Sequence, residues 1–260
     1  MKYQLLIAGF IFVCCSNIEA QNTRLNDHNE IGWFNYFGTF KIAEKYSIHT
    51  EYQWRRTNFI SDKQQDLLRV GVNYQANPKL QLRLGYAGIE THPYGEYAIN
   101  AQGKDFTEHR LFQMVTLNDK ISKFELSHRF MLEQRFVGRY TLPELTVEDD
   151  YIFLNRLRYM FRVQMPLKGT EIKNKTPYIA AYDEIFIGFG KNVNENIFDQ
   201  NRIGLLLGYR FDNNFRIEAG YLNQTLQLGR EINQRNVFQS NNGFIINSFL
   251  NLDFTKKMPK

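Results

Sequence analysis

Ser47, His49 and Glu51 are the one run of side chains in this sequence that could supply a nucleophile, a base and an orienting acid. A hydrolase needs a hydroxyl whose proton passes to an imidazole that a carboxylate holds in place. Spaced by two on an extended chain, the three share one face, with successive Cα atoms about 6.6 Å apart along the strand. At that spacing side chains stand side by side and do not converge, so the row reads first as a stretch of polar wall and only second as a triad.

Metal chemistry finds less support. The five histidines, His28, His49, His92, His109 and His128, form no His-x-His or His-x-x-x-His pair. Glu108-His109-Arg110 and His128-Arg129 put neighbours on opposite faces of a strand. His92-Pro93-Tyr94-Gly95 reads as a rigid turn, and Phe198-Asp199-Gln200-Asn201-Arg202 as a loop-to-strand junction in which Asp199 caps a turn. The expectation is no metal and no cofactor.

The elements that would carry these residues follow a period of two over segments longer than ordinary soluble strands. In residues 46–55 one face carries Tyr46, Ile48, Thr50, Tyr52 and Trp54, and the other Ser47, His49, Glu51, Gln53 and Arg55. Leu68, Val70 and Val72 alternate with Arg69 and Gly71, and Leu80, Leu82 and Leu84 with Gln81 and Arg83. The same pattern recurs in residues 124–136, 157–163, 203–211, 215–221 and 244–254. Residues 106–117 and 178–189 carry polar groups close to either face, and their facing is left open.

One face is apolar and the other is rich in arginine: Arg55, Arg69, Arg83, Arg129, Arg135, Arg156, Arg158, Arg202, Arg210 and Arg216. A soluble sandwich does not bury rows of guanidinium groups. A barrel in lipid turns its apolar face outward and keeps polar groups inside. Two readings of the arginines stand side by side. Glu51, Glu125, Glu133 and Glu218 cross-link them into a lumen charge network that fills a narrow interior, or the lumen stays electropositive and passes anions. Tyr46 and Trp54, about 20 Å apart along a membrane normal, match the spacing of aromatic girdles.

Residues 1–20 have the form of a secretory signal peptide, with Lys2, an apolar run and Ile18-Glu19-Ala20 before Gln21; residues 21–260 then form a single barrel domain. Cys14 and Cys15 leave with the signal, which excludes disulfide and thiolate chemistry from the remainder. Removing Lys2 and Glu19 leaves the net charge of +5 unchanged; it is spread along the chain with no basic run, so nucleic acid is not an expected partner. Short connections at residues 43–45, 75–79, 118–122 and 212–214 alternate with longer ones at 58–65, 91–105, 138–150, 190–200 and 228–236, as periplasmic turns alternate with outer loops. The connection at 165–176 is long for its side.

Eleven segments can be counted. Because bacterial single-chain barrels have even strand numbers, the expectation is an all-β, transmembrane, antiparallel up-and-down β-barrel of twelve strands, with ten as the alternative. The missing strand would lie in residues 22–29 or in the loop after Thr225.

Trp33-Phe34-Asn35-Tyr36-Phe37-Gly38, His49-Thr50-Glu51-Tyr52-Gln53-Trp54-Arg55-Arg56, Pro93-Tyr94-Gly95-Glu96, Glu108-His109-Arg110, Phe198-Asp199-Gln200-Asn201-Arg202 and Gly220-Tyr221-Leu222-Asn223-Gln224 together resemble the domain of unknown function 2490 family. That family consists of predicted outer-membrane β-barrels, mostly from Bacteroidota. The resemblance implies the outer membrane of a Gram-negative bacterium and a porin-like architecture; it carries over no catalytic residue. The partners expected on this reading are outer-membrane lipid and lipopolysaccharide, with the barrel-assembly machinery during insertion. The function read from the sequence is a non-catalytic barrel with a structural, binding or narrow-pore role. The alternatives are a membrane-embedded lipid or lipopolysaccharide hydrolase using Ser47, His49 and Glu51, and an anion-selective channel.

Overall fold

The structure is a computed structural model that describes residues 24–193 and 196–255. The signal-peptide expectation for residues 1–20 falls outside the described residues. The strands are β1 (Leu25–Lys41), β2 (Tyr46–Thr57), β3 (Asp62–Asn77), β4 (Leu80–Thr91), β5 (Phe106–Ile121), β6 (Phe124–Arg139), β7 (Asp150–Pro166), β8 (Thr176–Phe189), β9 (Phe198–Arg210), β10 (Phe215–Ile232) and β11 (Arg235–Asp253). Each pairs antiparallel with its neighbour in sequence, and the sheet closes on itself between β1 and β11.

Alternation settles which face is inside. On β3 the outward Leu68, Val70 and Val72 are 59%, 44% and 48% exposed, while the inward Arg69 and Asn73 are 5% and 1% exposed. The two ambiguous segments resolve in the same way. β5 turns Glu108, Arg110, Phe112 and Met114 inward and His109, Leu111 and Gln113 outward. β8 turns Tyr178, Ala180, Glu184 and Phe186 inward and Ile185 and Phe189 outward. The inner wall is not uniformly polar. Ile31, Trp33, Tyr178, Ala180, Leu206, Leu222 and Ile245 form a dry apolar stripe along the β8 to β1 side.

The strand number corrects the expectation of twelve or ten. Both regions suspected of hiding a further strand are prolongations of strands already counted. Residues from Leu25 onward belong to β1, and β10 and β11 continue to a two-residue turn at Asn233 and Gln234, each in the left-handed region at φ 51° and 60°. That turn geometry matches the twist of a tight hairpin, so no loop is needed there. Residues 58–61 likewise close β2 onto β3 through left-handed Asn58 and Phe59.

With an odd number of alternating strands, the first and last must run the same way. β1 and β11 therefore pair in parallel, from Leu25 against Val237 to Lys41 against Asp253. Like residues meet across this seam. Asn29 Nδ2 donates to Asn241 Oδ1 at 3.0 Å, Asn35 Nδ2 to Asn247 Oδ1 at 2.9 Å, and the Phe37 and Phe249 rings stack at 5.0 Å. The even-number rule holds where both termini leave at the same barrel end. Here β1 starts at the long-loop end and β11 finishes at the short-turn end.

The long connection at residues 167–175 also gains an account. It folds across the short-turn end, burying Ile172 against the apolar stripe and offering the Ile172 carbonyl to Arg210 Nη1 at 3.1 Å.

The register of the seam is directly testable. In a chain lacking Cys14 and Cys15, Asn29→Cys with Asn241→Cys should oxidise to a disulfide, visible as altered mobility on non-reducing gels, because parallel partners lie within disulfide reach. Asn29→Cys with Asn247→Cys, displaced by about 20 Å along the strand, should not. Cross-linking of the second pair and not the first would refute the parallel closure.

Candidate functional site

Charged groups inside the barrel gather around acids on six different strands. Glu133 on β6, fully buried, accepts from Arg156 Nε at 2.8 Å and Arg158 Nη1 at 2.9 Å, both on β7. The guanidinium groups of Arg69 and Arg110 approach the same carboxylate to 3.9 Å. Glu51 on β2 accepts from Arg69 Nη1 at 2.7 Å, and Glu184 on β8 from Arg158 Nη2 at 2.7 Å and Arg129 Nη2 at 2.8 Å. Glu108 on β5 is bonded by Arg110 and Arg135, each through Nε at 2.5 Å. Asp199 takes Arg156 Nη1 at 2.6 Å, and Glu218 on β10 takes Arg162 Nη2 at 2.5 Å and the Tyr178 hydroxyl at 2.8 Å.

Why these groups meet follows from the pleat and the register. Inward positions recur every second residue, and the register sets Glu133 directly opposite Arg156. Buried ions away from water must be paired, and a carboxylate that receives several guanidinium N–H groups satisfies its lone pairs. Asp199 reaches the lumen because a β-bulge places it between Phe198, paired with Ile187, and Gln200, paired with Phe186.

Of the residues singled out from the sequence, Glu51, Arg69, Arg129, Glu133, Arg135, Arg156, Arg158 and Glu218 sit in these ion pairs. Glu125, Arg55, Arg83, Arg202, Arg210 and Arg216 make no ion pair among the described residues. Glu125 accepts from Gln164 Nε2 at 2.7 Å, Arg83 donates to Asn73 Oδ1 at 2.5 Å, and Arg216 lies over the Phe249 ring at 4.1 Å. Arg55 and Arg202 both lie over Trp33, with guanidinium carbons 3.9 Å and 4.9 Å from the ring centroid. Glu108, Arg110, Glu184 and Asp199 were missed as lumen partners. The first three lie in the two segments whose facing the pattern left open, and the bulge at Asp199 breaks the alternation that would have revealed it.

The Ser47, His49 and Glu51 row is only half assembled. His49 Nε2 lies 3.1 Å from Glu51 Oε2, but the Ser47 hydroxyl accepts from Asn73 Nδ2 at 2.9 Å. No hydrogen bond joins Ser47 to His49 among the described residues, and His49 Nδ1 is buried without a partner. Glu51 is already saturated by Arg69 and Gln53. The arrangement positions a lumen ion pair and leaves the hydroxyl unactivated.

One grouping outside the lumen escaped the histidine spacing rule. Glu90, His92 and Asp105 each offer a ligand atom within 4.8 Å of the others at the long-loop rim, with His92 Nδ1 2.9 Å from Asp105 Oδ2. Glu90-x-His92 was visible in the sequence; Asp105 joins only because the loop returns at β5.

A chamber of about 290 Å³ opens toward the long-loop end and one of about 330 Å³ toward the short-turn end. Between them stands the layer of Glu133, Arg156, Arg158 and the fully buried rings of Phe112 and Phe186.

The family model described as Protein of unknown function (DUF2490) matches residues 31–236, which span the chain from within β1 to the start of β11. The chain belongs to this family. No curated protein and no solved structure matches it. Family membership thus agrees with the motif resemblance and, assigning no activity, leaves function to the geometry of the DUF2490 barrel itself.

Glu133→Gln should destabilise the barrel by about 3–5 kcal/mol, since it leaves buried guanidinium groups without their counter-charge. Glu125→Gln, which breaks no ion pair, should shift the same denaturant midpoint by less than about 1 kcal/mol. Equal effects of the two would remove the central role given to Glu133.

Proposed function

We propose that this protein is an integral outer-membrane β-barrel whose bore is blocked by its own ion pairs, and that it serves as a structural or binding protein and neither hydrolyses lipid nor conducts. The observation that carries the reading is the inverted polarity of a closed sheet: leucines such as Leu84, Leu205 and Leu207 are 62%, 56% and 64% exposed, while Glu133 and Glu218 are wholly buried. In water that arrangement would expose a continuous apolar belt and bury ions. In a bilayer each side meets its preferred medium.

Details of the belt support the same medium. Rings edge it at the short-turn end, including Tyr46 packed on Tyr74 and Phe211 on Phe215. At the opposite edge Trp54 lies under Arg56, whose Nη1 reaches Asp66 at 3.4 Å. The outward amides of Gln113 and Gln134 bond each other reciprocally at 3.0 Å and 3.2 Å, as groups facing hydrocarbon must. On this reading the short turns face the periplasm, and lipid and lipopolysaccharide are the partners of the belt.

The hydrolase alternative lacks its nucleophile contact, since no hydrogen bond joins the Ser47 hydroxyl to His49 among the described residues. The anion-channel alternative lacks a continuous bore across the Glu133 layer.

Four measurements test the proposal. The protein should fractionate with the outer membrane and resist extraction by alkali. Leu84→Arg should impair folding into lipid vesicles by about 2–4 kcal/mol, the cost of a cation facing the bilayer midplane; an effect below about 0.5 kcal/mol would place that face in water. Purified protein in planar bilayers should show no stable open level, and Ser47→Ala or His49→Ala should leave lipid turnover unchanged; an open level would restore the channel, and loss of turnover the hydrolase.

A further inference from the structure

The chamber at the long-loop end carries more positive charge than its acids can answer. Six arginines line it, against two carboxylates, Glu108 and Asp199. Three of the six, Arg110, Arg135 and Arg156, are held by those carboxylates. Arg55, Arg202 and Arg230 make no ion pair among the described residues.

Arg55 is buried and Arg202 and Arg230 are half-buried, and each is short of an anion. Arg55 is 5% exposed, and its side-chain hydrogen bonds go to neutral acceptors, Gln53 and Gln65. Arg202 makes one hydrogen bond, from Nε to Gln200 Oε1 at 3.1 Å, and its terminal nitrogens have no hydrogen-bond partner among the described residues. Arg230 Nη2 donates to the Ala98 carbonyl at 2.8 Å, and its Nε is buried and unpartnered. A guanidinium withdrawn from water is costly unless an anion or a hydrogen-bond acceptor replaces the water. The faces of Arg55 and Arg202 are satisfied by Trp33, which they share, so what remains unmet lies at their edges, where N–H groups bind oxyanions in pairs.

We propose that this chamber is a binding site for a small hydroxyl-bearing organic anion, a sugar phosphate or sugar acid, whose anionic group is held by Arg202 together with Arg55. The volume of about 290 Å³ suits a molecule of monosaccharide size. Around the chamber Gln224, Gln227 and Thr91 offer neutral donors and acceptors for hydroxyl groups, and Leu154 and Leu226 offer apolar surface for a ring face. The connection at residues 92–105 roofs the site. It is pinned there by Gln239 Nε2 donating to the Tyr97 carbonyl at 2.8 Å and Asn241 Nδ2 donating to the Tyr94 hydroxyl at 3.1 Å. This site deepens the binding role proposed above and rests on the blocked bore, because an anion held here is stopped by the Glu133 layer.

Trp33 reports on the site through Arg55 and Arg202, which lie over its ring. The chain has two tryptophans, and Trp54 points to the outer face, so Trp54→Phe leaves Trp33 as the sole tryptophan, excited selectively at wavelengths where tyrosine does not absorb. In this background, folded in detergent micelles, titration with glucose 6-phosphate should give a saturable change in emission, while neutral glucose gives none. Arg202→Gln should raise the half-saturation concentration at least about tenfold, Arg202→Lys should recover part of the loss, and Arg216→Gln, at the other end of the lumen, should change nothing. Far-UV circular dichroism of each variant confirms that it is folded. A linear response to glucose 6-phosphate, or an unchanged midpoint in folded Arg202→Gln, would overturn the site. Inorganic phosphate binding as tightly as glucose 6-phosphate would overturn the hydroxyl-bearing ligand. Conductance in planar bilayers, measured on the same preparation, reports the blocked bore separately, so an open channel with a saturable Trp33 signal fails that reading alone.

Discussion

The constraint that governs this molecule is that a sheet of eleven strands has to close. An open sheet in lipid would leave two edges of unpaired backbone N–H and C=O groups, each costing several kcal/mol in hydrocarbon. Closure of an odd number requires one parallel pair, which is slightly weaker per residue than an antiparallel one. The seam between β1 and β11 offsets that deficit with side chains: asparagine amides bond asparagine amides, Phe37 stacks on its in-register partner Phe249, and Phe40 stacks on Phe254 just past the strand. Everything inside the barrel depends on this seam, since it brings Trp33 and Asn35 on β1 around to face Asn247 and Arg202.

Once the wall is closed, its two faces differ in polarity, and the interior has to satisfy itself. It does so unevenly. The β8 to β1 side packs aliphatic and aromatic side chains, whereas β2 to β9 contribute a lattice in which acids such as Glu133 and Glu184 each take two arginines. The paired lattice is close to neutral, because arginines such as Arg156 and Arg158 each serve two acids, and the surplus positive charge sits on arginines that meet no acid among the described residues. Part of that surplus sits where arginines rest on rings, at Trp33 and Phe249, because an aromatic face is a neutral partner that attracts a cation without an acid.

The same architecture separates the three functional readings. Catalysis requires the hydroxyl and imidazole of Ser47 and His49 to meet, and the pleat directs Ser47 to Asn73 instead. Conduction requires a wet path, and the ion-pair layer with Phe112 and Phe186 stands between the two chambers. Binding requires only a chamber with unsatisfied groups, and the long-loop end has one. Membership of the DUF2490 family fits each of these readings equally, so the chemistry has to be argued from the lumen.

Much of this was legible in the sequence because alternation is a local property. Leu68 and Arg69 point opposite ways on any extended strand, so residue order alone determined an all-β chain with one apolar and one charged face, and it put Glu51, Arg69, Glu133 and Arg156 on the charged one. It even held the signature of the seam, Asn29, Asn35 and Phe37 echoing Asn241, Asn247 and Phe249 at identical spacing, although an assumption of even strand number turned the count of eleven toward twelve. What only the tertiary structure decided is everything that depends on register between strands: the parallel closure, the bulge that swings Asp199 inward, the loop that lodges Ile172 in the mouth, and which arginines find an acid. Register is set by pairing across the whole circumference, and a guanidinium cannot be known as paired or unpaired until the strands on either side have been laid against it.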